Sequence, residues 1–180
     1  MNRFIDFLTL MFISTLIASC VHSENQKPSR SGEKIASKES LVVANKYLTR
    51  TEDEEIERYI NRHQLDVTAT GTGLRYVVTK SGKGPKPVKG DQVMLEYKTR
   101  LITGDVVYSS TDSGPMEFKV GKGGVPSGLE EGILQLNLGD EAVIILPSHL
   151  AFGLLGDQNK IPARATVIYE IKFIKLRKNQ

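Results

Sequence analysis

Gln92-Val93-Met94-Leu95-Glu96-Tyr97-Lys98-Thr99-Arg100-Leu101-Ile102 alternates between two kinds of side chain. Val93, Leu95, Tyr97, Thr99 and Leu101 point one way and Met94, Glu96, Lys98 and Arg100 the other, the period of a half-buried strand. Thr103-Gly104-Asp105 turns this strand into Val106-Val107-Tyr108. Downstream, Met116–Val120 reads as a strand, and Leu129, Ile133 and Leu136 set a short helical pattern within Gly128–Leu138 that ends at Gly139-Asp140. Glu141–Leu146 is a strand, Pro147–Ala165 a long loop, and Thr166–Leu176 a final strand alternating Val167, Tyr169, Ile171 and Phe173. Upstream, Leu74–Thr79 is a short strand, joined to the first by a Gly-, Pro- and Lys-rich loop from Ser81 to Asp91. Strands, one short helix, then strands predict an α+β fold: an antiparallel twisted sheet wrapped around one short helix.

The N-terminal third has a different texture. Leu41, Ala44, Tyr47 and Leu48 recur at helical spacing, and so do Ile56, Tyr59, Ile60 and His63. Thr51-Glu52-Asp53-Glu54 between them has the form of a capping box. Two helices are expected, about 38–50 and 52–64, or one long helix with a break; His63 is read as packing. The apolar stripe either docks on the domain or pairs with a second copy as a homodimer. Val21–Ser37 is polar and reads as a flexible tether. Phe7–Ala18 is nearly all apolar but too short for a bilayer, which takes roughly 20 residues, and fits a secretory signal. Leu16-Ile17-Ala18-Ser19-Cys20 resembles the bacterial lipobox, in which Cys20 becomes a lipidated N-terminus. The expected organisation is a leader over 1–19, a tether over 20–37, a helical segment over 38–66 and one domain over 67–180.

Composition excludes several chemistries. The 180 residues hold one Cys, no Trp and three scattered His, so neither a disulfide framework nor a multi-cysteine metal site is available. A net charge of +3 raises nucleic acid as a partner, but a lipid-anchored chain outside the cytoplasm removes it; no nucleic acid is expected. There is no Gly-x-Ser-x-Gly elbow, His-Glu-x-x-His pair or P-loop. Gly121-Lys122-Gly123-Gly124 is followed by Pro126 where a dinucleotide fingerprint needs Gly, and neighbours such as Ser148 and His149 seldom serve as nucleophile and base. Lys83, Lys86 and Lys89 read as a solvated loop cluster. No cofactor or metal is expected.

From about Gly73 to Leu176 the residues resemble the FKBP-type peptidyl-prolyl isomerases. The ordered set carries this resemblance: Val93-Met94-Leu95-Glu96-Tyr97, Gly104-Asp105-Val106-Val107-Tyr108-Ser109-Ser110, Phe118-Lys119-Val120-Gly121, Gly128-Leu129-Glu130-Glu131-Gly132, Gly139-Asp140, Leu146-Pro147, Leu150-Ala151-Phe152-Gly153, Ile161-Pro162 and Ala165-Thr166-Val167-Ile168-Tyr169. It implies a hydrophobic proline pocket with Tyr97, Val107, Tyr108, Phe152 and Tyr169 as catalytic positions and Met116, Val125, Pro126, Leu129 and Ile161 as substrate-binding ones. Leu129 stands for the family's Trp at the pocket floor, and Val107 and Met116 for Phe. Tyr108 takes the place of a pocket Asp. Pro126 has no N–H to offer a ligand carbonyl, and Phe152 lacks the hydroxyl of the family's Tyr. The implied activity is prolyl isomerisation at reduced rate on proline-containing polypeptides; the alternative is a binding or chaperone module. Lipobox, tether, helical segment and domain together resemble the FKBP-like lipoproteins of Bacteroidota, the gliding-motility-associated isomerase lipoproteins among them. That layout implies lipid anchorage through Cys20 in the cell envelope, at an outer membrane and facing the periplasm.

Overall fold

The structure is a computed structural model that describes residues 38–179. The expected leader over 1–19, the lipidation position Cys20 and the tether over 20–37 lie outside the described residues. The elements in chain order are α1 (Lys38–His63), β1 (Thr68–Ala69), β2 (Arg75–Lys80), β3 (Gln92–Leu101), β4 (Val106–Ser109), α2 (Ser110–Ser113), β5 (Met116–Lys119), α3 (Ser127–Ile133), β6 (Glu141–Leu146) and β7 (Val167–Arg177), with a 3₁₀ turn at Ser148–Leu150. Residues from Val43 onward form one unit and Lys38–Val42 belongs to another. Among the described residues no helix is long and apolar enough to cross a membrane.

β3 lies one place in from the edge of an antiparallel sheet ordered β1-β2-β6-β7-β3-β4. β7 pairs along the whole length of β3. On the opposite flank, Gln92–Leu95 pairs with β5 and Lys98–Arg100 with β4. Its inward residues Val93 and Leu95 are fully buried with Ile144 and Leu146 of β6, Ile171 and Phe173 of β7, and Leu129 and Ile133 of α3. Each large apolar side chain so buried contributes about 1.5–3 kcal/mol of transfer free energy.

α3 can lie close to the sheet because its contact face is built of Gly128 and Gly132, four residues apart. A Cβ at Gly128 would sit 2.6 Å from Leu146 Cδ2, and one at Gly132 2.7 Å from Ile144 Cδ1. The close approach carries Leu129 into the core. The helix ends at Ile133, earlier than the apolar spacing predicts. Three-residue turns (Gln135 N–H to Gly132 O, Leu136 N–H to Ile133 O) tighten the chain, and the Leu138 N–H leaves for Pro85 O.

The N-terminal expectation needs correction. α1 runs unbroken through Thr51. Thr51 does not cap: its hydroxyl donates to Tyr47 O, four residues back, and Glu54 pairs with Arg50 at 2.9 Å. The acidic residues instead dock the helix. Ile56 and Ile60 are buried on the outer face of the sheet against Ile145 and Ile168. The nearly buried Arg75 donates to Asp53, to Glu57 at 2.9 Å and to Gly73 O at 2.7 Å. His63 is exposed, and its ring lies against Tyr59 of the same helix with centroids 4.2 Å apart. The first half of the stripe remains open, with Tyr47 69% exposed.

Candidate active site

Between the inner sheet face and α3 the structure gathers the residues that the resemblance singles out. Val107, Leu129, Ile161 and Tyr169 are buried in the main core, and Tyr97, Tyr108, Met116, Val125 and Phe152 pack against it half-buried. Nine of the ten positions therefore share one apolar cluster. They come from β3, β4, β5, α3, β7 and two loops, a convergence that only the sheet's pairing order produces. Pro126, the tenth, stands half-buried just before α3. Its fixed φ suits a helix entrance, and its carbonyl accepts the N–H groups of Leu129 (2.9 Å) and Glu130 (3.2 Å). Pro126 thus starts the helix that carries the buried Leu129.

The tyrosine hydroxyls are held by residues the sequence did not flag. Tyr97 Oη lies 2.9 Å from Ser113 Oγ, and the Tyr97 N–H donates to Ser110 Oγ at 3.0 Å, so α2 sets the outer edge of this wall. Tyr169 packs its phenol under β3. Burial pushes its pKa up, with the charges around Tyr97, Asp157 and Tyr108 adding and a hydrogen bond with Thr99 opposing. It stays neutral, which suits a dry floor.

Tyr108 donates its hydroxyl to Asp157 on the loop opposite and accepts from Asn159 Nδ2 at 3.2 Å, while Lys160 Nζ lies 5.3 Å from the ring centre. Asp157 Oδ1 also accepts the N–H groups of Asn159 (2.9 Å) and Ile161 (2.7 Å). A carboxylate is therefore present at this rim, from the wall opposite to the one on which the resemblance places it. Nothing local in the sequence marks Asp157, since its partner lies 49 residues away.

This contact titrates. Burial works against the Asp157 charge, but the Tyr108 hydroxyl and the backbone N–H groups of Ile161, Asn159 and Lys160 outweigh it and hold the carboxyl below its usual range. A depressed carboxyl contributes stability above its ordinary pKa of about 4, and that contribution is lost as pH falls through the lower folded value. Tyr108→Phe is thus expected to lower Tm by a constant margin between pH 5 and 8, a margin that narrows below about pH 4. Thermal melts of the two proteins across that range check it.

Two other sequence features resolve into structure. Ser148 Oγ donates to Glu52 and His149 Nε2 lies 3.1 Å from Thr72 O, so the neighbouring pair turns to separate partners. In the glycine-rich loop the Gly121 and Gly123 N–H groups both donate to Glu130 Oε1 at 3.0 Å. A carboxylate of the chain itself fills the cradle that a phosphate would need.

Residues 84–174 match the family described as FKBP-type peptidyl-prolyl cis-trans isomerase. The probable FKBP-type peptidyl-prolyl cis-trans isomerase FkpA of Neisseria meningitidis is 40% identical over 111 residues, 61% of this chain and 40% of that one. The FK506-binding protein 1A of Neurospora crassa is 34% identical over 107 residues, 58% of this chain and 89% of its own. The crystal structure of FkpA from Escherichia coli superposes with a TM-score of 0.63 at 23% identity, over 98% of this chain and 73% of that one, a likeness of fold. The chain thus spans about two fifths of the Neisseria protein's length. With the family's sequence pattern running through half of its residues, and a relative of similar domain size matched nearly end to end, the chain belongs to the FKBP-type peptidyl-prolyl cis-trans isomerases.

Proposed function

We propose that this protein isomerises X-Pro bonds of exported polypeptides at the cell envelope, at a rate reduced from the family's. The observation that carries the reading is the convergence of Tyr97, Val107, Met116, Val125, Phe152, Ile161 and Tyr169 on the Leu129 floor as one apolar cluster. Prolyl rotation crosses a barrier of about 18–20 kcal/mol set by amide resonance and breaks no covalent bond. The twisted imide is less dipolar than the planar one, so an apolar cup binds the transition state better than the ground state. Two orienting donors are absent, the N–H at Pro126 and a hydroxyl at Phe152. At about 0.5–1.5 kcal/mol each they account for a loss of roughly one to two orders of magnitude.

The location belongs to the same proposal. The leader and the lipobox-like ending support attachment through lipid on Cys20, at an outer membrane and facing the periplasm, in a lipoprotein of the Bacteroidota type. The exposed Val43, Tyr47 and Leu48 on α1 support pairing with a second copy. The alternative reading is a binding or chaperone module of the same fold, favoured by the changes at Tyr108, Pro126 and Phe152. Exchange NMR on a proline peptide separates the two. Isomerisation above background that falls at least about tenfold in Tyr97→Ala/Phe152→Ala, a loss of about 1.4 kcal/mol of transition-state stabilisation, supports the enzyme. Equal rates for the two proteins would transfer the assignment to the binding module.

A further inference from the structure

Seven cations gather at one end of the sheet from three separate stretches of chain. Asp91, itself buried, knits them together. Its carboxylate accepts the Val88 N–H (2.9 Å), the Asn179 N–H (2.9 Å) and Lys178 Nζ (3.0 Å), and Lys178 also reaches Lys86 O at 3.0 Å. The Asp91 carbonyl takes the Val120 N–H, and the Gly90 N–H returns to Val120 O, both at 2.9 Å. The lysine loop, the end of β5 and the end of β7 are thereby fixed side by side. On the outer face at this end Gln92 stands between Lys119 and Arg177, and Met94 between Glu117 and Lys175. Lys89 lies along Gly121, next to Lys122.

Residues 86–91, 117–122 and 175–178 carry seven Lys and Arg against Asp91 and Glu117, a net +5 in a chain whose total is +3. All seven cations are exposed. Asp91 is spent on the internal knot and Glu117 lies 3.7 Å from Arg177. Glu130, at the border, is turned to the Gly121 and Gly123 amides. Between Lys86 and Lys89 the side chain of Val88 stands 56% exposed on a loop stiffened by Pro85 and Pro87.

We propose that this face docks on an anionic phospholipid surface. The charge is predominantly positive, carried by Lys119, Lys175 and Arg177 on the outer strand face and by lysines of the adjoining segments, which suits an anionic headgroup layer. Val88, an apolar tip among lysines, is the combination that enters the interface between headgroups and acyl chains. Nucleic acid fits less well: among the described residues the outer positions of β3, β5 and β7 at this end offer no aromatic platform for a base. An acyl chain and a polybasic face are complementary membrane signals. Here the second would fix which way the domain faces the membrane.

The test is sedimentation of residues 20–180 carrying Cys20→Ser, so that neither the apolar leader nor an acyl group contributes, with vesicles of phosphatidylcholine alone or with phosphatidylglycerol added. Binding is expected to be stronger on the anionic vesicles and to weaken from low to 0.3 M salt. It should fall by roughly 1,000-fold in Lys86→Gln/Lys89→Gln/Lys119→Gln/Arg177→Gln. The same charge removed from α1, Lys46→Gln/Arg50→Gln/Arg58→Gln/Arg62→Gln, should change it by less than about threefold. Circular dichroism of both variants verifies folding. Equal binding to neutral and anionic vesicles, equal losses in the two variants, or a preference for duplex DNA over vesicles would overturn the proposal. None of these outcomes depends on isomerase activity or on lipid at Cys20.

Discussion

Gly156→Ala is expected to cost about 3–5 kcal/mol of stability and to abolish pocket function with it. Gly156 sits at φ +67, a left-handed conformation that an L-residue adopts at a cost of roughly 1–2 kcal/mol. The larger part is steric. A Cβ here would come 2.1 Å from Ile161 O and 2.7 Å from Pro162 C, and both obstacles are backbone, so no side-chain rotation relieves the clash. The two limbs of the loop must separate. That breaks the Asp157 N–H bond to Ile161 O (3.1 Å) and pulls Asp157 from the Ile161 N–H and from Tyr108. Phe152 and Ile161, on opposite limbs, lose their register as pocket walls. Urea unfolding reads the stability, and the loss of isomerisation at temperatures where the variant is still folded reads the loop. Wild-type stability would show that the loop opens freely and that its geometry does not define the pocket.

The strands were legible because burial on one face imposes a period of two. β3 and β6 keep their expected limits to within a residue, and the inward set from Val93 to Leu101 is the one the alternation assigns. Nine of the ten positions that the family resemblance singled out lie in one apolar cluster. The failures share a physical cause, which is competition between a local signal and a distant partner. Thr51-Glu52-Asp53-Glu54 has every feature of a helix start, yet the chain passes through it as helix. Burial of Ile56 and Ile60 on the sheet and the Arg75 contacts with Asp53 and Glu57 outweigh a cap worth roughly 1 kcal/mol. The two-residue β1 and the four-residue α2 are too short to show any period. Asp157 and Ser113 acquire their roles from Tyr108 and Tyr97, which become their neighbours only once the chain has folded.

Glu52 is the sharpest case of such a long-range role. Its carboxylate accepts the Ser148 N–H (2.6 Å), the Ser148 hydroxyl (3.0 Å) and the Thr166 hydroxyl (2.8 Å). Ser148 opens the long loop that carries Phe152, Asp157 and Ile161, and Thr166 closes it, so one side chain of α1 staples both ends of a pocket wall. Ser148 and Thr166 are buried, and without Glu52 their donors would lose this acceptor where water has little access. Charge-assisted bonds contribute about 1.5–3 kcal/mol and an orphaned buried donor costs about 1–3. Glu52→Ala should therefore lose about 3 kcal/mol, more than the Asp53 and Glu57 pairs with Arg75, whose acidic partners are more than half exposed and worth at most about 1 kcal/mol each. Glu52→Gln keeps an acceptor for the Ser148 N–H and should recover more than half of the loss. The readout specific to the staple is hydrogen exchange: amide protection should collapse at Ser148 and across the loop in Glu52→Ala while β3 and β7 stay protected, and prolyl isomerisation should fall in parallel. Uniform loss of protection would instead make Glu52 an ordinary docking contact of α1. Local loss would establish that the N-terminal helix, whose buried Ile56 and Ile60 belong to a separate apolar cluster, holds this loop in place.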